Sequence, residues 1–339
     1  MGKLLVVPLL YFTLPAIASV AIAPVTASAT ARISSEKPAE KATYPVQKIS
    51  IKGITDIKII GVKGHLKMRG VKNARSLSLY VKHSEGRRFD DWHLEVQRRG
   101  KTICLEVFNV AYGRQWRHLV REELWPEFDL ELDGASLPTT VAWREGTLDF
   151  NSWGANLDVS FLKGAAHIAG GTGRVNIQPV QANVAVHDHK GPVTLKGDSG
   201  QVTLSRDQGD LAVNWVSGKV AVEGGAGSLK LELGRGAAKI LNFNGTVQGQ
   251  GEQALWDLTA KAPADVNITT STGPVGMHWQ DGGAHVFLTS THGSIAFPSS
   301  HFLKAVDDYE GRRVVEGVKT AKSMGQVFIR TDSGPISWR

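Results

Sequence analysis

A phrase recurs every nine residues through the second half of this chain. Gly191-Pro-Val-Thr-Leu195 returns as Ser199-Gly-Gln-Val-Thr-Leu204, with Val193 and Val202 nine apart. Stepping by nine from Leu148 meets Leu157, Ala166, Val175, Val184, Val193, Val202, Leu211, Val220, Leu229, Ala238 and Val247, all apolar. Two residues beyond each stands a second apolar residue, from Phe150 through Leu195 and Leu204 to Ile240, and the pattern fails only at Gly249. Looser copies follow at Val266-Asn-Ile268, Val275-Gly-Met277, Val286-Phe-Leu288, Ile295-Ala-Phe297 and Ile336-Ser-Trp338. In a strand, such a triplet turns both apolar side chains to one face and its middle residue to the other. The middle residues are mostly polar or small, among them Asp149, Asp158, His167, Asn176, Thr194, Thr203 and Lys230.

A glycine often stands two residues before the triplet, as at Gly173, Gly191, Gly200 and Gly218, where a corner with positive φ is expected. Short strands and corners at constant spacing predict stacked repeats. Two nine-residue units would make one flattened coil of about eighteen residues, stacked roughly 4.8 Å from the next. The fold class expected is therefore all-β: a single-domain β-solenoid of nine-residue half-coils over 45–339, less regular at 86–146. Transmembrane barrel strands, at about 9–11 residues, would be longer than these. A meander of hairpins or a propeller is the competing architecture, because Ser-Gly and Asn-Gly corners also make hairpins.

The first residues read as a targeting segment. Lys3 precedes the apolar run Leu4-Leu-Val-Val-Pro8 through Ala23, and Ala29-Thr-Ala31 has the form of a cleavage site. The expected organisation is a signal peptide at 1–31, a linker at 32–44 and the repeat domain beyond. Such a protein is exported, to the periplasm or the cell surface, and touches membrane only if the signal stays uncleaved. Cys104 is the single cysteine, so no disulfide framework and no CxxC site exist.

Charge is uneven. Over 36–82 eleven Lys and Arg stand against three acidic residues, whereas the whole chain carries +7. A basic end suits an anionic envelope polymer, with Lys58, Lys63, Lys67 and Lys72 as the contacts. Lysines also guard strand edges in soluble β proteins, and that reading stands beside it.

Two stretches approach the calcium-binding nonapeptide of β-rolls: Gly170-Gly-Thr-Gly-Arg-Val175 and Gly224-Gly-Ala-Gly-Ser-Leu229. A hard cation needs several oxygen ligands, and Val175 and Leu229 stand where the carboxylate belongs. No calcium, and no other cofactor, is expected, and folding in chelator should be unimpaired.

The Gly-x-Val-x-Val phrase behind an export signal resembles the bacterial putative-adhesin family, a β-solenoid domain of unknown function. Ile49-Ser-Ile-Lys-Gly-Ile-Thr-Asp-Ile-Lys-Ile-Ile-Gly-Val-Lys-Gly-His-Leu66 is similar to that family's opening strands, and Gly325-Gln-Val-Phe-Ile-Arg-Thr-Asp-Ser-Gly-Pro-Ile-Ser-Trp338 to its final coil. The resemblance covers about 44–339 and implies an extracytoplasmic, non-catalytic role without defined functional residues.

Between Gly86 and Gly146 the nine-residue beat disappears and tryptophan and arginine rise. Trp92, Arg98, Arg99, Trp116 and Arg117 make this the best sequence candidate for a surface that meets another envelope protein, since Trp and Arg are enriched in hot spots. Core packing and capping by the tryptophans is the alternative. Near-balanced charge over 86–125 excludes a nucleic-acid patch. His187-Asp-His189 puts two imidazoles on one side of a strand with no third ligand in view. His278, His285 and His292 recur by seven, out of phase with the repeat. Asp149 and Asp158 occupy equivalent positions in consecutive half-coils, on opposite faces, and so make no carboxylate pair. The outer positions that follow them carry no stacked acids, and no GxSxG, Walker or HExxH motif is present. The expectation is a non-enzymatic envelope protein, structural or adhesin-like. A polysaccharide lyase or hydrolase on a β-helix is the alternative.

Overall fold

The computed structural model describes residues 46–83, 91–111, 126–299, 302–306 and 312–339. The signal peptide and linker expected at 1–31 and 32–44 lie outside them, as do Trp116 and Arg117. Among the described residues the chain is all-β with no helix, and its strands join in one hydrogen-bonded sheet. The first part holds β1 (Gln47–Ser50), β2 (Asp56–Ile60), β3 (Lys63–Gly70), β4 (Ser76–His83), β5 (Trp92–Arg99), β6 (Thr102–Asn109) and β7 (Glu127–Gly134). The middle holds β8 (Thr139–Asn151), β9 (Leu157–Ala169), β10 (Val175–His187), β11 (Val193–Ser205), β12 (Gln208–Glu223), β13 (Ala226–Leu241) and β14 (Asn244–Ala260). The last part holds β15 (Asp265–Thr270), β16 (Val275–Trp279), β17 (Gly283–Ser290), β18 (Ile295–Ala296), β19 (Leu303–Val306), β20 (Arg313–Lys319), β21 (Met324–Thr331) and β22 (Ile336–Trp338).

From β8 to β14 every strand pairs in parallel with the next, at a constant offset of eighteen residues. Thr139 faces Leu157, then Val175, Val193, Leu211, Leu229 and Val247. Parallel neighbours ordinarily need a crossover of a dozen or more residues. Here only two to five residues separate consecutive strands, so each long strand must itself bend and return. The bend falls between its two triplets, at Gly146, Gly164, Gly200, Gly218 and Gly236, whose φ lies between +123° and +137°. At Gly218 the requirement is double: φ is +137°, and a Cβ would stand 2.0 Å from the Gly200 carbonyl oxygen of the preceding turn. At Gly173 and Gly191, by contrast, φ is not in the left-handed region. There a Cβ would meet Ala155 O at 2.1 Å or Thr172 O at 2.7 Å, so close backbone approach, not a corner conformation, explains those glycines.

A second corner escaped the phrase altogether. Ser152, Gly170, Asp188, Arg206, Gly224 and Asn242, eighteen apart, all take left-handed φ between 52° and 69°. Only two of the six are glycine. Arg206 holds the carboxylate of Asp188, one turn earlier, with two parallel bonds of 2.7 Å, and that guanidinium keeps the Asp188 carboxyl below its ordinary range.

The triplet side chains are buried in columns, and the columns explain the one break in the beat. Trp256 takes the place of Val220 and Ala238 in its column. A Cβ on Gly249 would lie 2.6 Å from its ring, so glycine makes room for indole. Trp215 is accommodated by Gly197 in the same way, at 2.6 Å. Neither buried indole N–H, of Trp215 or of Trp256, has a hydrogen-bond partner. Val175 and Leu229, at the positions of the absent calcium ligands, lie in the core.

At both ends the order in space departs from the order in sequence. β2 and β3 pair with β8 on one side and with β6 and β7 on the other. β21 and β22 lie between β15–β16 and β17–β18. The closing copy Ile336-Ser-Trp338 is therefore an interior strand, not the last coil that its sequence position suggested. Antiparallel strands cover the outer rungs: β4 on β7, β5 on β6, β20 on β17 and β19 on β20. The parallel rungs are thereby covered, and β1, β5 and β19 become outer strands.

Candidate functional site

The lysines expected to form a basic surface lie on two strands and a turn. Lys58 lies on β2, and Lys63 and Lys67 lie on β3, beyond the corner at Gly61-Val62. The parallel register sets the basic outer face of β3 against the acidic outer face of β7: Lys63 opposite Glu127, Lys67 opposite Glu131, Arg69 opposite Asp133. Ion pairs of 3.4 Å and 3.8 Å join the two lysines to their glutamates, and Arg69 donates to both oxygens of Asp133. Lys58 and Lys72 are exposed and make no ion pair among the described residues. Sequence reading saw the basic run of β3 but not its partner, because the register that unites them spans sixty-four residues.

In the less regular segment, Trp92 is buried at the start of β5 and serves the core. Arg98 donates to the carbonyls of Lys52 and Gly100, and Arg99 to the side-chain oxygen of Gln97. Arg98 thereby ties the turn at Lys52 to the β5–β6 turn.

His187-Asp-His189 does not form a metal edge. His189 is buried inside the left-handed corner, in a column that reads Trp153, Gly171, His189, Asp207, Gly225 and Phe243. Its Nδ1 lies 3.0 Å from Gly170 O and its Nε2 2.7 Å from Gly173 O, so both ring nitrogens face carbonyls. Its backbone N–H donates to Asp207, which also accepts from the Ser205 N–H. Burial pushes the Asp207 carboxyl up to about 6, against the opposing pull of those two N–H groups. Among the described residues no group of three or more His, Cys, Asp or Glu could hold a metal ion. Asp149 accepts from His65 at 2.6 Å, while Asp158 contacts Arg174 and Asn176. Each carboxylate is engaged by its own neighbours on a different leg of the turn.

The feature that sequence reading passed over is an open cleft of about 850 Å³ on the outer face of the last strands. One row of outward residues can be followed across the rungs: Lys230, Gln248, Asn267, Phe328, Phe287 and Glu316. Two phenylalanines interrupt its polar course. Their rings stack with centroids 5.3 Å apart and planes within 6°, and each keeps 37% of its surface exposed. Val318 on β20 and Val306 on β19, exposed at 50% and 40%, extend the apolar patch. Lys304, Glu316, His285 and Gln326 supply polar groups to the same cleft. A signal was available: in Val286-Phe-Leu288 and Val327-Phe-Ile329 the middle residue is aromatic, where other triplets carry a polar or small one. Leu162, Val180 and Val216 form a second exposed apolar row along a corner, which Asp198 interrupts.

No protein-family model matches the chain, and no curated protein matches it. Among solved structures, it is similar to a "putative cell adhesion protein" of Clostridium sporogenes, at 12% identity and a TM-score of 0.27, over 88% of this chain and 99% of that one. A "putative adhesin" of Bacteroides fragilis is similar at 13% identity and a TM-score of 0.26, over 71% of this chain and 96% of that one. Those descriptions belong to those proteins.

Proposed function

We propose that the chain is an exported, non-enzymatic β-solenoid of the cell envelope, adhesin-like, which meets its ligand through the outer surface at the C-terminal cleft. The observation that carries this reading is the division of labour across the sheet. Among the described residues the triplets fill the inside with apolar columns, mostly polar rows cover the outside, and at the cleft that order gives way to two stacked, exposed aromatic rings. The resemblance of the repeat phrase to the putative-adhesin family and the signal-like first residues point the same way. Against the hydrolase form of the rival reading, a glycoside hydrolase of the usual kind needs two carboxylates flanking the bond. Glu316 is the one carboxylate among the described residues lining the cleft. An anionic envelope polymer would fall to Lys58 and Lys72, since Lys63 and Lys67 already face glutamates.

The test is expression in the native host with a photo-crosslinking residue at position 287, or at Thr203 as a control. The reading expects an extracytoplasmic protein shortened by about thirty residues, with crosslinks from position 287 alone. A full-length cytoplasmic protein, or equal crosslinking from both positions, would defeat it.

A further inference from the structure

On the outer face of the middle turns, several polar side chains are tied to one another. Asn176 donates to Asp158, Asn214 to Glu232 and Ser228 to Asp210, each across one rung. The cleft differs. Lys304 and Glu316 face one another in the β19–β20 register, yet no ion pair or side-chain hydrogen bond joins them. His285 and Gln326, adjacent in register, likewise use no side-chain atom in a hydrogen bond among the described residues. Four polar groups with unspent donors and acceptors thus surround two stacked phenyl rings.

That combination discriminates between ligand classes. An acyl chain would cover the phenyl rings but strip water from four polar groups and return nothing to them. A polyanion would gain Lys304 and meet Glu316, and a polycation would face the reverse. A neutral polyhydroxylated ring satisfies both parts: its C–H face lies on aromatic carbon, and its hydroxyls both donate and accept. The volume falls within the range of small-ligand sites, and the mixed lining is typical of them.

We propose that the cleft binds a neutral saccharide, with sugar C–H groups against the exposed carbon of the Phe287–Phe328 stack and hydroxyls on Glu316, Lys304, His285 and Gln326. This rests on the reading of the cleft as the ligand-facing surface and adds the class of ligand.

The experiment uses the purified mature chain with cellohexaose, maltohexaose and chitohexaose, followed by saturation-transfer NMR and calorimetry. Palmitate and polyphosphate are run beside them. At least one hexasaccharide should bind, and Phe287→Ser with Phe328→Ser should weaken it about tenfold or more. Glu316→Gln, an exposed change that leaves folding alone, should weaken it roughly fivefold. Raising salt from about 50 to about 500 mM should change affinity less than about twofold, because no charge is matched. Lys230→Ala, in the same row but outside the cleft, should change nothing.

Absence of binding by all three sugars, binding that survives both sets of substitutions, or binding of palmitate or polyphosphate alone would overturn the proposal. The two readings fail separately. An exported protein that crosslinks from position 287 but ignores sugars keeps the envelope reading and loses the saccharide. A cytoplasmic protein that binds sugars in the cleft does the opposite.

Discussion

The middle turns and the C-terminal end use the same triplets and differ in what their neighbours are. From β8 to β14 each strand lies between its predecessor and its successor in sequence. At the end, β21 and β22 return into a gap between β15–β16 and β17–β18. Local stacking makes the middle modular, as in other repeat arrays. Intercalation makes the end dependent on the last residues of the chain. The middle covers its outer face mainly with polar residues, some of them paired across the rungs, while the end, with antiparallel strands beside β17, opens two stacked aromatic rings to solvent. Repetition builds an even surface, and departure from repetition builds a cleft.

The strongest way to break this contrast is to remove similar lengths from both regions. Deleting 175–192 takes out one whole eighteen-residue turn. It sets Leu157 against Val193 and brings the Gly171 N–H to the place of the His189 N–H on Asp207. We expect a folded protein with Tm lowered by roughly 5 °C. Removing 323–339 takes out an interior rung and leaves β15 and β17 without their shared neighbour. Loss of roughly 10 °C or more, with rapid proteolysis after 282, is expected. Equal effects in thermal melts would show that the end is as modular as the middle.

Single glycines give the next comparison. Gly218→Val in the middle must hold φ near +137° and drive a Cβ into the Gly200 carbonyl. A loss of about 4 kcal/mol is expected in urea unfolding. Gly100, in the β5–β6 turn, also has positive φ, +62°, but a Cβ there would meet no atom within 4 Å. Gly100→Ala should cost only about 1 kcal/mol.

The left-handed corner supplies a pH-dependent test. Asp207 titrates near 6 in the folded chain, above its ordinary value of 3.8. A raised pKa favours the folded state below pH 4, and that advantage is lost as pH rises through 6. At pH 7 the loss is on the order of 3 kcal/mol. Measured against Asp207→Asn at each pH, the native chain should therefore lose ground between pH 4 and 7. A constant difference between the two would refute the burial effect.

How much of this was legible beforehand follows from the range over which each interaction acts. The eighteen-residue register was readable because Val193 and Val202 carry it locally. The corner at Arg206 was not, since Ser, Asp, Arg and Asn share no glycine signal and are held there by partners one turn away. The Lys67–Glu131 pairing and the intercalation of β21 depend on contacts about forty to sixty-four residues apart, which no periodicity encodes. The cleft lay between these extremes. Phe287 and Phe328 each violate the polar-middle rule, but only the structure puts them side by side.

The smallest expected effect concerns the N-terminal end. If the β3–β7 charge ladder is only surface neutralisation, Lys63→Ala with Lys67→Ala should cost less than about 1 kcal/mol, because both pairs are solvent-exposed. The cost should shrink further in about 0.5 M salt. A salt-insensitive loss of several kcal/mol would mean that the ladder, and not the apolar columns beneath it, aligns β7 with β3. The N-terminal end would then be ordered by its outer surface, in a way that neither the middle turns nor the C-terminal rungs are.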